Sequence, residues 1–252
     1  MSAIQVAVVN LCGLSDPEVV DGMGALQQQL DQDFAPVWGM DATLVQWRPH
    51  VQSPDHWGLV LLNGAATPSD GDEYAALWIY GHFTSHRHPL ARVFVDQRHP
   101  GEDWTHLASH ELLEMLVDPG RNAAVYREGG NPYHVYARRV CDPCAAYLDG
   151  YERSGHIVSD FVCPAWFGGF MPLDPMDEQG KIQQEFELRT GGSVGVVDPA
   201  NGKWAVLDSS DHLATPPIEK WGPGQLGIVP ELPELPKPLA ASASGQKLGW
   251  GP

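Results

Sequence analysis

His106, His110, Glu114 and Asp118 recur at four-residue intervals, and all four residue types can ligate a metal. In an α-helix a step of four returns to the same face, so the four would share one stripe. Within that stripe His110-Glu111-Leu112-Leu113-Glu114 differs by one residue from His-Glu-x-x-His. In that pattern two ligands one turn apart hold zinc, and the Glu between them is the general base. Here Glu114 stands where the second His would be. Glu is itself a zinc ligand in catalytic sites that mix His and Glu. The chemistry these residues could do is metal-assisted hydrolysis, with His110 and Glu114 as ligands and Glu111 as base. The competing reading is a solvated polar face with i,i+4 neighbours.

A catalytic zinc needs about three protein ligands and an open position. Asp118 lies one turn beyond Glu114 on the stripe, and Asp142 is the long-range alternative. An Asp-Pro pair such as Asp118-Pro119 also terminates helices, which competes with a ligand role. His106, in the first turn, is the weaker candidate. A hydrolase would also need a donor for the oxyanion; Tyr80, His82 and Arg139 are the candidates. Glu114, Asp118 and Asp142 alone would make an all-oxygen set suited to calcium or magnesium, and the site would then be structural. Cys141-x-x-Cys144 with Cys163 is half of a zinc pattern and would need a further ligand such as His156. Small residues buried near a bend explain these cysteines equally well. The chain has no glycine-rich phosphate loop after a strand and no Gly-x-Ser-x-Gly elbow.

The elements that must position these residues follow from apolar spacing and breakers. Residues 104–118 form the candidate active-site helix, capped by Asp103 or Thr105 and stopped at Pro119. Ala108, Leu112, Met115 and Leu116 give its apolar side. Upstream, 4–10 reads as a buried strand. A helix starts at Ser15-Asp16-Pro17 and carries Val20, Met23, Leu26, Leu30 and Phe34 as far as Pro36. Strands follow at 42–47, 57–62, 77–80 and 91–95. The last two flank Gly81–Pro89, a stretch with three histidines read as a polar loop. Beyond the helix, 147–158 has hairpin character around Asp149-Gly150. Segments 186–188, 193–198 and 203–207 read as strands, with a turn at 198–202 between the last two. The order predicts an α+β domain over 1–214, a sheet packed on two helices with the second flooring a cleft, and a C-terminal β-rich part. Residues 215–252 are dense in Pro and Gly and read as a tail without its own core.

Composition narrows the function classes. With 252 residues and 43% hydrophobic content the chain can bury a large core. Fifteen basic against 32 acidic residues, and no basic patch, exclude nucleic acid as the expected partner. No apolar run reaches the ~18–20 residues that cross a bilayer, so no membrane partner is expected. The start runs straight into an apolar strand rather than a signal peptide. The expectation is a cytoplasmic protein with free thiols; secretion without a cleaved signal stays open. Oligomeric state is not readable.

Several blocks carry a resemblance. They are Tyr80-Gly81-His82, Ala91-Arg92-Val93-Phe94-Val95, the run from Ser109 to Pro119, Val140-Cys141-Asp142-Pro143, and Ser159 to Phe167. In this order they resemble a zincin-like family of bacterial and phage proteins, over roughly residues 5–207. The resemblance implies a metallopeptidase-like fold, a twisted mixed sheet over an active-site helix, with zinc as cofactor and a peptide or protein as substrate. It does not by itself carry an activity, because one fold hosts many functions. It also implies a Glu before Val140-Cys141-Asp142-Pro143, where this chain has Arg139, and an aliphatic residue at Cys144. Two expectations therefore stand side by side: a zinc metallopeptidase-type hydrolase, and a catalytically silent, metal-stabilised binding or assembly protein that keeps the zincin shell.

The tail reading is directly testable. A chain truncated after Leu213 should melt within about 2 °C of the full chain, since residues outside the core add little stability. A large drop in melting temperature or in soluble yield would show that the tail docks.

Overall fold

The computed structural model describes residues 4–47, 56–64, 76–82, 87–98, 100–128, 132–168 and 175–214. The 215–252 tail and the 48–55 connection lie outside the described residues. The fold is α+β. Strand β1 (Ile4–Asn10) leads into helix α1 (Asp16–Gln29), a π turn (Leu30–Phe34) and the short helix α2 (Ala35–Trp38). Strands β2 (Ala42–Gln46), β3 (Trp57–Leu62), β4 (Ala76–His82) and β5 (Arg87–Phe94) follow, and then helix α3 (Trp104–Val117). The five strands form one sheet in the order β2-β1-β3-β5-β4. β1, β2, β3 and β5 run parallel, and β4 pairs antiparallel with β5 at the edge. The parallel centre explains the unbroken apolar reading of Val6–Val9, because both faces are covered. One face sends Val6, Val8, Leu59, Leu61, Ala91 and Val93 into the main core. The other buries Val9, Val60 and Leu90 in a small separate cluster.

Helix α1 starts with a capping box: Ser15 Oγ accepts the Glu18 N–H, and the Glu18 carboxylate accepts the Ser15 N–H. Pro36 does not end this helical stretch as expected. The wider π turn resets the hydrogen-bond register, so Pro36 falls in the first turn of α2, where its missing N–H costs nothing. Gly39 closes α2 in the left-handed conformation, φ 66°. Gln27 ties α1 to the sheet, donating to the Ala42 carbonyl and accepting from the Leu44 N–H. Where α1 crosses the start of α3, the indole of Trp104 occupies the space in which a Cβ on Gly22 would lie. Glycine is needed there for the close approach.

Helix α3 is capped by Asp103, whose carboxylate accepts the Thr105 N–H. It packs on β3, β4 and β5 and, on its other flank, on α1 and a hairpin. That hairpin is β8–β9 of the second half. There β6 (Ala124–Tyr126) and β7 (Val135–Ala137) precede β8 (Tyr151–Arg153), β9 (His156–Val158), β10 (Ser193–Asp198), β11 (Lys203–Asp208) and β12 (Leu213–Ala214). A second sheet, all antiparallel, has the order β12-β11-β10-β7-β6. The β8–β9 turn falls at Ser154-Gly155, not at Asp149-Gly150. Positive φ at both residues, 48° and 82°, is what a tight primed turn demands. Residues 186–188, expected as a strand, form a turn and coil instead, with Phe186 itself left-handed.

The hairpin is braced from both sides. Thr105 Oγ1 donates to the Ile157 carbonyl, and the Ser159 N–H donates to Ser109 Oγ. Arg153 clasps the buried Asp33 carboxylate through two nitrogens at 2.7 and 2.8 Å, and the Tyr151 hydroxyl donates to the same carboxylate. Gln29 donates to the Tyr151 hydroxyl and to the Ser159 carbonyl. These bonds place the π turn, the hairpin and α3 in one rigid group.

Asp160 and Asp177 are both fully buried. Asp160 accepts the N–H groups of Phe161 and Gln179; Asp177 accepts those of Lys181 and Ile182. Burial and then the Asp177 charge push the Asp160 carboxyl up to about 8. At neutral pH the Asp160 carboxyl is therefore mostly protonated. A carboxyl raised in the fold stabilises it below the unfolded value of 3.8 and loses that contribution as pH rises towards about 8. Asp160→Asn cannot ionise, and its amide can donate where the proton did. The variant should gain stability relative to wild type between pH 4 and pH 8 in urea unfolding. An equal difference at both ends of that range would show that Asp160 is ionised throughout.

Candidate metal centre

The polar stripe of α3 faces inward. His106, Glu114 and Asp118 are at most 4% exposed, which rules out the solvated-face reading. What lies against the stripe is the turn that follows β7. Glu114 Oε1 accepts the N–H of Cys141 at 2.7 Å and that of Asp142 at 3.4 Å. This docking carries Asp142 to the helix, and His110 Nε2 lies 3.2 Å from Asp142 Oδ1. His110, Glu114 and Asp142 each offer one ligand atom, all within 4.8 Å of one another. Among the described residues no other group of three His, Cys, Asp or Glu has this spacing.

The turn that delivers Asp142 is held on every side. Asp142–Cys144 is a single 3-10 turn with Pro143 in its second position, where a missing N–H costs nothing. The Val140 carbonyl accepts the Val162 N–H, and the Pro143 carbonyl accepts the Arg189 N–H. The Pro143 carbonyl also fills the space in which a Cβ on Gly192 would sit, so that crossing needs glycine. Cys141, Cys144 and Cys163 are buried and form no disulfide. Burial pushes the Cys141 and Cys144 thiols well up, so they act as small apolar fillers, not nucleophiles.

The electrostatics follow from crowding buried charges. Burial and then the Asp142 charge raise the Glu114 carboxyl to about 7, against the opposing pull of Arg139 and His110. For His110, burial alone would lower the pKa. The hydrogen bond and charge of Asp142, with Glu111 and Glu114, outweigh it, and the net shift is upward. Arg139 is buried as well, with Nη1 3.6 Å from Glu114 Oε2. At that distance the contact is a charge contact and not a hydrogen bond. Glu114 Oε2 is left buried with no hydrogen-bond partner.

The structure separates the candidate ligands. His110, Glu114 and Asp142 come together. Asp118 does not join them: its Oδ1 accepts the N–H groups of Asn122 and Ala123, which makes it the helix-terminating residue of the Asp-Pro alternative. The all-oxygen set of Glu114, Asp118 and Asp142 is thereby lost. His106 packs edge-on against Tyr147 at 5.1 Å and beside Gly150. Burial and the neighbouring His110 lower its pKa to about 4, so it stays neutral. Glu111 is buried and lies outside the group of three, next to His110 in sequence. Tyr80 and His82 fall in β4, and their side chains lie outside the described residues, as does His86. His88 belongs to β5 instead of a loop. Sequence reasoning missed the docking of the Cys141 and Asp142 amides on Glu114, because main-chain donors leave no trace in residue types.

Compared with family models, curated proteins and solved structures, the chain finds no match. Among the described residues no helix is long and apolar enough to cross a membrane.

The reassignment of Asp118 predicts a clean separation. Asp118→Ala leaves two amides without their acceptor and should cost about 1–3 kcal/mol in chemical unfolding. Metal uptake by the folded variant should match wild type. A variant that loses metal without losing stability would restore Asp118 as a ligand.

Proposed function

We propose that the chain is a metal-dependent hydrolase of the metallopeptidase type, with His110, Glu114 and Asp142 holding the metal and Glu111 as general base. The observation that carries this reading is Glu114. One of its oxygens is committed to main-chain amides and the other is buried without a hydrogen-bond partner, in a residue grouped with His110 and Asp142. A buried polar atom left unpaired is costly, and a cation would satisfy it. An imidazole nitrogen with two carboxylates suits zinc better than calcium or magnesium, which favour oxygen-only sets. A mixed sheet packed on α3 is compatible with the arrangement that the zincin-like resemblance implies, and it supports the same reading.

When bound, such a metal acidifies a water to a pKa of about 7 and polarises a carbonyl. The chain's own residues do the rest. Asp142, 3.2 Å from His110 Nε2, and Glu114 fix the ligand positions through the docked turn. Glu111 takes the proton from the attacking water and returns it to the leaving amine, a role contributing about 10²–10⁴-fold. A peptide or protein is the substrate class this chemistry fits.

One observation favours a second reading. The Arg139 guanidinium sits 3.6 Å from Glu114 Oε2 and already supplies a positive charge to the group. In that reading the chain is a silent, metal-stabilised binding or assembly protein. Metal analysis with two variants tests the two readings. Purified wild type should carry or take up about one zinc per chain, and His110→Ala should not. Glu111→Gln should keep the metal and lose peptide hydrolysis. Wild type that takes up zinc without hydrolysing any peptide in a mixed library supports the silent reading. Wild type that takes up no zinc on titration removes both.

A further inference from the structure

The group of His110, Glu114 and Asp142 is not built from ligands alone. Arg139 comes from the residue pair between β7 and Val140, and it is only 6% exposed. Its Nη1 lies 3.6 Å from the one oxygen of Glu114 that the Cys141 and Asp142 amides leave uncommitted. An arginine keeps its charge at any working pH. Its guanidinium therefore faces the same carboxylate oxygen that a metal would use, in a place where water does not screen it.

We infer that Arg139 is an internal competitor for the metal, a fixed charge that holds Glu114 and sets how tightly the group binds a divalent cation. This rests on the metal reading proposed above and deepens it. The charges support the inference. Without a metal, the Arg139 guanidinium is the cation nearest the uncommitted oxygen of Glu114, at 3.6 Å. A divalent ion placed among the three ligands gains the carboxylates and meets the guanidinium a few ångströms away. Repulsion at that distance in a buried setting is strong. Wild type should accordingly bind zinc reversibly and release it to mild chelators, instead of holding it as a permanent structural ion. An exchangeable metal of this kind makes occupancy depend on the zinc supply around the protein.

The test is zinc affinity, read by competition with a chromogenic chelator at pH 8 in a non-coordinating buffer. Circular dichroism verifies the fold of each protein. Arg139→Gln should bind zinc at least about tenfold more tightly than wild type, equivalent to ~1.4 kcal/mol. Arg139→Lys keeps the charge and should stay within about threefold of wild type. Adding His110→Ala to Arg139→Gln should abolish the gain, which assigns it to this group. Should Arg139→Gln fail to fold, Arg139→Met, which also removes the charge, is read in its place. Equal or weaker zinc binding by the folded neutral variant, with His110-dependent binding in wild type, overturns the inference and leaves the metal reading standing. Arg139→Lys binding as tightly as Arg139→Gln overturns it too, because charge would not be the cause. No zinc binding in any of the proteins removes the metal reading, and the inference with it.

Discussion

The contact on which the site depends is a carboxylate accepting main-chain amides. Glu114 sits in the last turn of α3, and its Oε1 takes the N–H of Cys141 and of Asp142. Charge-assisted bonds of this kind are stronger than neutral ones, and more so where water is absent. The bond joins the two halves of the chain, since α3 belongs with the parallel sheet and the Cys141 turn leads out of the antiparallel one. Because the turn is tight and closed by Pro143, fixing its amides also fixes the direction of Asp142. His110 then meets Asp142 without any further device.

Burying this much charge needs compensation, and the fold supplies it by neighbours instead of solvent. A buried carboxylate without a partner costs several kcal/mol, and an unmatched pair is worse. Around α3 each carboxylate has an answer. Asp103 caps the helix and receives the His156 ring, Asp118 holds two amides of the following turn, and Asp33 takes both arms of Arg153. His156 also faces Asp21 through its other nitrogen. Burial would lower its pKa, but the two carboxylates outweigh it and the net shift is upward. Within the group of three the answer is incomplete, because Glu114 Oε2 has charge nearby and no hydrogen bond. That contrast between satisfied and unsatisfied carboxylates along the helix is what singles out the group as the candidate site.

Much of this was legible in the sequence, and the remainder was lost for identifiable reasons. Helix α3 announced itself through Asp103, the 3.6-residue apolar repeat and Pro119. His110 and Glu114 were legible because a helix converts a spacing of four into adjacency. Asp142 was open as an alternative to Asp118, and spacing along the chain could not choose between them. The choice is made by position: the docked turn brings Asp142 within reach of His110 and Glu114, while Asp118 stays outside that group and holds the Asn122 and Ala123 amides on one oxygen. Pro36 misled because a π turn is a register change that no residue type signals. The hairpin turn was misplaced because Asp149-Gly150 is the stronger turn dipeptide. There Gly150 serves close packing instead: a Cβ would meet the Val158 carbonyl at 2.7 Å and His106 at 3.0 Å.

The same contact accounts for the departure from His-Glu-x-x-His at position 114. A neutral imidazole has one nitrogen that donates and one that accepts. A histidine there could accept an amide or ligate a metal, but its single acceptor nitrogen could not do both. A carboxylate has two oxygens with two lone pairs each. Glu114 can spend Oε1 on the Cys141 and Asp142 amides and keep Oε2 uncommitted. The turn that brings the third candidate ligand therefore requires an acid at this position. The substitution that weakens the motif as a pattern is what lets Asp142 reach it. Arg139 follows from the same geometry, since an anion buried this deeply draws a cation, and the chain provides one two residues before the first docked amide.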